Sequence, residues 1–205
     1  MKCMKLILVF TFALGVCPSL FSQPQQRTIM PGTPDVAATS EDRFDWWASS
    51  TLGPMSWLTG GFSSGWSTIW NHPEEWGRSP EGFGRRLATR TANVAVANGV
   101  EVGLGAVWGE DMRYQRKGEG SFKSRVGNIL KMTVMARYKD GSTRFAYARI
   151  IGNVSGNVMQ NAWMPPSAKG AGRITYNVGV GISARAGSVA FQEFWPDVRK
   201  LVFKK

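Results

Sequence analysis

The chain has 205 residues, carries 25 Lys and Arg against 14 Asp and Glu for a net charge of +11, and holds two cysteines. Both cysteines, Cys3 and Cys17, fall within the first 22 residues, so the remainder has no disulfide framework, no thiolate metal cluster and no thiol nucleophile. The basic balance predicts an anionic partner, lipid head groups or an envelope polymer, and not nucleic acid, from which export separates the chain.

Residues 1–22 set Lys2 and Lys5 ahead of an apolar run from Leu6 to Val16 that is too short to span a bilayer, and polar QPQQR follows. This is the pattern of a secretory signal peptide, with cleavage placed after Ser22. Lipid attachment at Cys17 and a retained N-terminal anchor are competing readings. Cleavage leaves 183 residues at a net charge of +9, one domain's worth, bound for the periplasm, the outer membrane or another part of the cell envelope.

Residues 23–44 carry Pro24, Pro31 and Pro34 without an apolar period. They predict a disordered leader, followed by a single helical domain over 45–205. Residues 45–70 then hold Trp46, Trp47, Trp57, Trp66 and Trp70 with one charge, Asp45, and Pro54 must open or kink a helix. A short helix or helix pair is expected. Its indoles either fill the core or form an interfacial belt. In the turn 71–78 the single histidine, His72, neighbours Glu74 and Glu75, but side chains this close in sequence point different ways. No metal, cofactor or catalytic role is assigned to them.

Residues 79–108 read as one long helix. Ser79 caps it, Pro80 suits its first position and Glu81 its positive end. Gly84, Ala88, Ala92, Ala95, Gly99, Gly103 and Ala106 form a stripe of small residues, the device that lets helices pack closely in membranes, and Arg86, Arg90 and Glu101 sit opposite. Val94, Val96, Val100, Val102 and Leu104 compete with this reading. They alternate with Ala95, Ala97, Glu101 and Gly103, a period of two, as in an outer-membrane barrel strand.

The densest polar cluster follows, with Glu110, Asp111, Arg113, Tyr114 and Arg116. It reads as a solvated loop of ion pairs, with Glu110, Asp111, Arg113 and Tyr114 as the candidate binding residues. Residues 122–138 predict a basic amphipathic helix, with Phe122, Val126, Ile129, Leu130, Val134 and Tyr138 on one face. Lys139 to Ser142 is a turn. Residues 143–164 repeat the small-residue device at Ala148, Gly152 and Gly156 beside an amide ladder of Asn153, Asn157 and Asn161. The last element, 174–195, continues it through Gly172, Thr175, Gly179, Ser183, Ala186 and Ala190, and Pro196 is expected to stop it ahead of a basic tail.

The segments NHPEEWG and PEGFGRR within 71–86, EDMRY at 110–114, ARIIGN at 148–153, WMP at 163–165 and EFWPDV at 193–198 together resemble a group of exported proteins of acidobacteria. The resemblance spans most of the mature chain. It implies an envelope location and a helical build, and it transfers no catalytic residue.

The sequence therefore predicts a mainly-α bundle of about four to five Gly/Ala-striped helices, with an outer-membrane-type β-barrel as the alternative. Function is expected to be non-enzymatic: a membrane-associated bundle with a structural or interaction role, compatible with a homo-oligomer. Each long apolar stretch carries a charge, Glu101, Arg149 or Arg185, so either Glu101 pairs with one of the arginines or the helices are only partly embedded. A soluble periplasmic module binding a small ligand among the tryptophans, anchored by Arg113, Tyr114 and Asp111, is the alternative. An enzyme using Glu110 and Asp111 ranks last, since no nucleophile elbow, HExxH, P-loop or dinucleotide fingerprint is present.

Overall fold

The computed structural model describes residues 28–29 and 37–202. The signal segment and most of the leader lie outside these residues. Helices run over α1 (Ser40–Leu52), α2 (Pro54–Ile69), α3 (Pro80–Trp108), α4 (Phe122–Val134), α5 (Tyr147–Asn161) and α6 (Ala171–Val202). Strands are minimal. β1 (Thr28–Ile29) pairs in parallel with β2 (Tyr114–Gln115), and β3 (Met135–Arg137) pairs antiparallel with β4 (Thr143–Phe145). The fold is a mainly-α bundle, and the alternating valines of 94–104 lie on α3.

Local chemistry explains the boundaries. Thr39 and Asp42 form a reciprocal capping box, so α1 begins inside the span expected to be leader. Gly53 ends α1 and Pro54 takes the first position of α2, which makes the tryptophan stretch a helix pair. Ser79 accepts the Gly82 amide at the start of α3, and Gly109, at φ 77°, closes it in the left-handed region. The basic helix ends at Val134, four residues short of expectation, because Met135–Arg137 pairs with β4. Pro196 does not stop α6, which continues to Val202.

The most extensive helix–helix contact is the seam between α3 and α5. Ala148, Gly152 and Gly156 are all buried there, as their spacing predicts. A Cβ on Gly152 would overlap the Ala97 carbonyl oxygen, and one on Gly156 would lie 2.7 Å from the Asn93 carbonyl oxygen. The α3 stripe, in contrast, faces outward: Gly84, Ala88, Gly99, Gly103 and Ala106 are exposed, while Gly82, Arg86, Thr89, Glu101 and Gly105 are buried. The α6 stripe is also turned away. Gly172, Thr175, Gly179 and Ser183 are exposed, and Gly181 makes the close approach, where a Cβ would meet Asn153 Oδ1 at 2.6 Å.

On α2 the burial pattern is inverted relative to a helix in water. Helix α2 buries Ser56, Gly60 and Ser64 and exposes Trp57, Leu58, Phe62, Trp66 and Ile69, with Trp70 at its end. An apolar cluster of Tyr114, Ile129, Met132 and Val189 joins α4 to α6, but Arg43, Arg86, Glu101, Glu110, Asp111, Arg149 and Glu193 are buried as well. Among the tryptophans of the pair, Trp46 is core and Trp57, Trp66 and Trp70 are outside.

Replacing Gly152 with Leu is expected to cost about 1–3 kcal/mol, since the Ala97 backbone has no room to yield. Gly103→Ala, with nothing within 4 Å of its new Cβ, is expected to stabilise by up to about 1 kcal/mol. Equilibrium unfolding followed by circular dichroism distinguishes the two. Equal losses at both positions would contradict the orientation of α3.

Candidate functional site

The charges singled out in the apolar stretches do meet. Arg149 Nε donates to Glu101 Oε1 at 3.1 Å, and Arg185 Nη2 lies 3.8 Å from the same oxygen. Arg149 Nη1 is shared among the carbonyls of Met132, Thr133 and Met135 where α4 gives way to β3, so one guanidinium ties three elements together. Arg185 donates to the Met112 carbonyl. Both members of the Glu101–Arg149 pair are buried, a geometry in which removing one partner costs more than the pair contributes.

The EDMRY cluster is not a solvated loop. Glu110 is 1 % exposed, and Asp111 and Tyr114 are also buried. Glu110 accepts the Ala148 amide at 3.0 Å, the Arg149 amide at 3.3 Å and the Tyr138 hydroxyl at 3.2 Å. It thereby caps α5, whose own N-cap residue, Ala146, has no side chain to do so. Asp111 takes Arg113 instead, through its backbone amide and a two-nitrogen guanidinium contact. The two adjacent carboxylates therefore point to different partners and do not converge on one substrate.

Tyr114 reaches a knot missed in the sequence. Its hydroxyl donates to Glu193 at 2.8 Å. Glu193, with no exposed surface, also accepts from Arg125 Nε and from the Lys117 and Gly118 amides. Burial pushes the Glu193 carboxyl up, but these four donors outweigh it and hold the group below its ordinary value. Burial and the Glu193 contact push the Tyr114 phenol well up. Asp197, one turn on, pairs with Arg125 and Arg116. The signal was present in the EFWPDV segment: two acids four apart on one helix face, with basic residues elsewhere to receive them.

Between these polar knots the helices leave clefts that open to the surface. Three adjoining chambers of about 320, 460 and 220 Å³ share Val94, Gly181 and Ala184 in their walls. Trp46 and Tyr114 line the first, Arg86, Arg90, Arg173 and His72 the second, and Glu101 and Arg149 the third. The amide ladder is part of this interior. Asn157 Nδ2 donates to the Asn153 carbonyl, Asn153 donates to the Val178 carbonyl, and Asn93 donates to Asn157. Asn161 stands apart and receives the Gly170 amide at the surface. His72 is not a free turn residue: it meets Arg173, and burial, Arg173 and Arg86 depress its basicity. Among the described residues no set of three or more His, Cys, Asp and Glu is placed to hold a metal.

No family model, curated protein or solved structure matches the chain.

Glu193→Gln is expected to destabilise the fold by about 3 kcal/mol at neutral pH. The folded carboxyl lies below its ordinary value of 4.5, so its contribution is full above that value and fades as pH falls through the depressed one. The deficit of the variant should therefore shrink in acid. Urea midpoints at about pH 7 and pH 3 check this; a deficit independent of pH would contradict it.

Proposed function

We propose that this chain is an exported, non-enzymatic protein of the cell envelope that lies on or partly within a membrane, with its apolar helix faces toward lipid and its polar faces toward one another. The observation that carries this reading is α2. A helix that hides Ser56, Gly60 and Ser64 while showing six large apolar side chains has its interior and exterior exchanged relative to a helix in water. These six residues are half to three-quarters exposed. At about 1.5–3 kcal/mol for a fully covered large apolar side chain, covering the patch is worth roughly 5–10 kcal/mol.

Among the described residues no helix is long and apolar enough to cross a membrane. The reading is therefore one of association and partial embedding. Helix α4 supports it: Phe122 and Lys123, then Leu130 and Lys131, are exposed on its outer side, where apolar anchors and cations suit an anionic head-group layer. The signal-like N-terminal segment and the net charge of +9 behind it agree with an envelope location.

Flotation with vesicles of phosphatidylcholine and phosphatidylglycerol tests this. The chain is expected to float, more strongly as the anionic fraction rises and less strongly in high salt. A Trp57→Ser, Phe62→Ser, Trp66→Ser triple variant, with its helicity unchanged, should bind at least tenfold more weakly. Failure to float with any vesicle would overturn the reading. A lipid-free oligomer that shields the same tryptophans would assign the face to self-association instead.

A further inference from the structure

The large chamber between α2, α3, α5 and α6 has a chemistry that the membrane reading does not use. Arg86, Arg90, Arg173 and His72 line its wall, and among the described residues no carboxylate does. Arg86 spends its donors on the fold: Nε on the His72 carbonyl, Nη1 on the Gly77 carbonyl and Nη2 on the Pro73 carbonyl. It keeps its charge but has little left to offer a ligand. Arg90 reaches across to α2, where Nη1 meets the Ser56 carbonyl and Nη2 the Thr59 hydroxyl. It lies over Gly60, where a Cβ would come within 2.8 Å of Nη1, so the glycine makes the space for this guanidinium.

Arg173 is the more open group. It meets the ring of His72 and the face of Tyr176, its Nε is buried without a hydrogen-bond partner, and it has no carboxylate partner among the described residues. A buried guanidinium N–H left without an acceptor costs free energy until one answers it. Around the cations stand groups suited to a hydroxylated body: Ser63, Ser64 and Ser67 on α2, and Asn93, Gln160 and Asn177 from the other helices. A volume of about 460 Å³ suits a small metabolite.

We propose that this chamber binds a phosphate monoester, with Arg90 and Arg173 on the phosphoryl oxygens and the serine and amide wall on the hydroxyls of its body. Two guanidiniums match the double charge of a monoester better than the single charge of a carboxylate, and their planar donor forks suit phosphoryl oxygens. The same chemistry is presented by free glycerol 3-phosphate and by the head group of phosphatidic acid. The inference does not depend on membrane association, because glycerol 3-phosphate tests the chamber without lipid.

His72 supplies the readout, since it is the only histidine of the chain and its ring lines the chamber. Glu74 and Glu75 act on it from its own turn, and Arg86 and Arg173 from α3 and α6. The purified chain is titrated with glycerol 3-phosphate and, separately, with phosphatidic acid in mixed micelles, while the His72 ring resonance is followed by NMR. Saturable binding with a rise in the His72 titration midpoint is expected from a dianion entering beside it. Saturation by glycerol 3-phosphate identifies a soluble ester, and saturation by phosphatidic acid alone identifies a lipid head group; either supports the proposal. Arg173→Met, which removes no carboxylate contact, should weaken binding at least tenfold with an unchanged melting temperature. Asn177→Phe, which fills the chamber from α6, should abolish binding. Equal response to glycerol, no saturation by either phosphate ligand, or undiminished binding by both variants would overturn it.

Discussion

Everything in this bundle depends on the seam where α5 lies against α3. Gly152 and Gly156 bring the two backbones together so closely that side chains in their place would overlap the Ala97 carbonyl oxygen or crowd that of Asn93. At that spacing no large apolar side chain fits between the helices, and the groups that meet are polar: Asn93 with Asn157, and Glu101 with Arg149. A buried ion pair is a poor source of net stability, because desolvation offsets most of the attraction, but it is intolerant of displacement. It sets how α3 and α5 are rotated, and Arg149 extends the constraint to the end of α4 through three carbonyls.

Once the seam is polar, the remainder follows by exclusion. The inward face of α3 is occupied by Arg86, Thr89, Glu101 and Gly105, so its valines and leucine are left on the flanks and its small-residue stripe outside. Helix α2 docks on α3 through Ser56, Gly60 and Ser64, with Arg90 laid across them, and its tryptophans must then point away. The bundle is held by hydrogen bonds and close backbone approach more than by oil. The apolar side chains left outward on α2 are the surface on which the proposed membrane association rests. The small apolar cluster around Met132 and Val189 is confined to the α4–α6 end, where the Glu193 knot seals it.

Much of the architecture was legible because helix punctuation is local. Ser79, Pro80 and Gly109 delimit α3, Pro54 splits the tryptophan stretch, and the Ala148–Gly152–Gly156 spacing identified the face of α5 that packs. Orientation was harder to read. A stripe of small residues and the polar face opposite are both visible in the sequence of α3, but spacing alone does not say which one turns inward. That is decided by Arg149 and Arg185, more than forty residues away in the chain. Glu110 and Asp111 looked like a solvated loop for the same reason: the amides that Glu110 satisfies belong to a helix that begins at Tyr147. Pro196 was expected to end α6, but Glu193 and Asp197 on either side of it are held by Arg125 and Arg116, and these long-range pairs carry the helix past the break.

On α2 the polar and apolar faces have exchanged places, and this helix allows a direct test. Because the chain has no cysteine after Cys17, single cysteines at Phe62 and Ser64 report on its two faces by their rates of alkylation with a water-soluble maleimide. The thiol of Phe62→Cys is expected to react quickly in vesicle-free solution and to be shielded when anionic vesicles are added, while that of Ser64→Cys reacts slowly in both. A rate at 62 indifferent to vesicles, or a faster reaction at 64 than at 62, would contradict it.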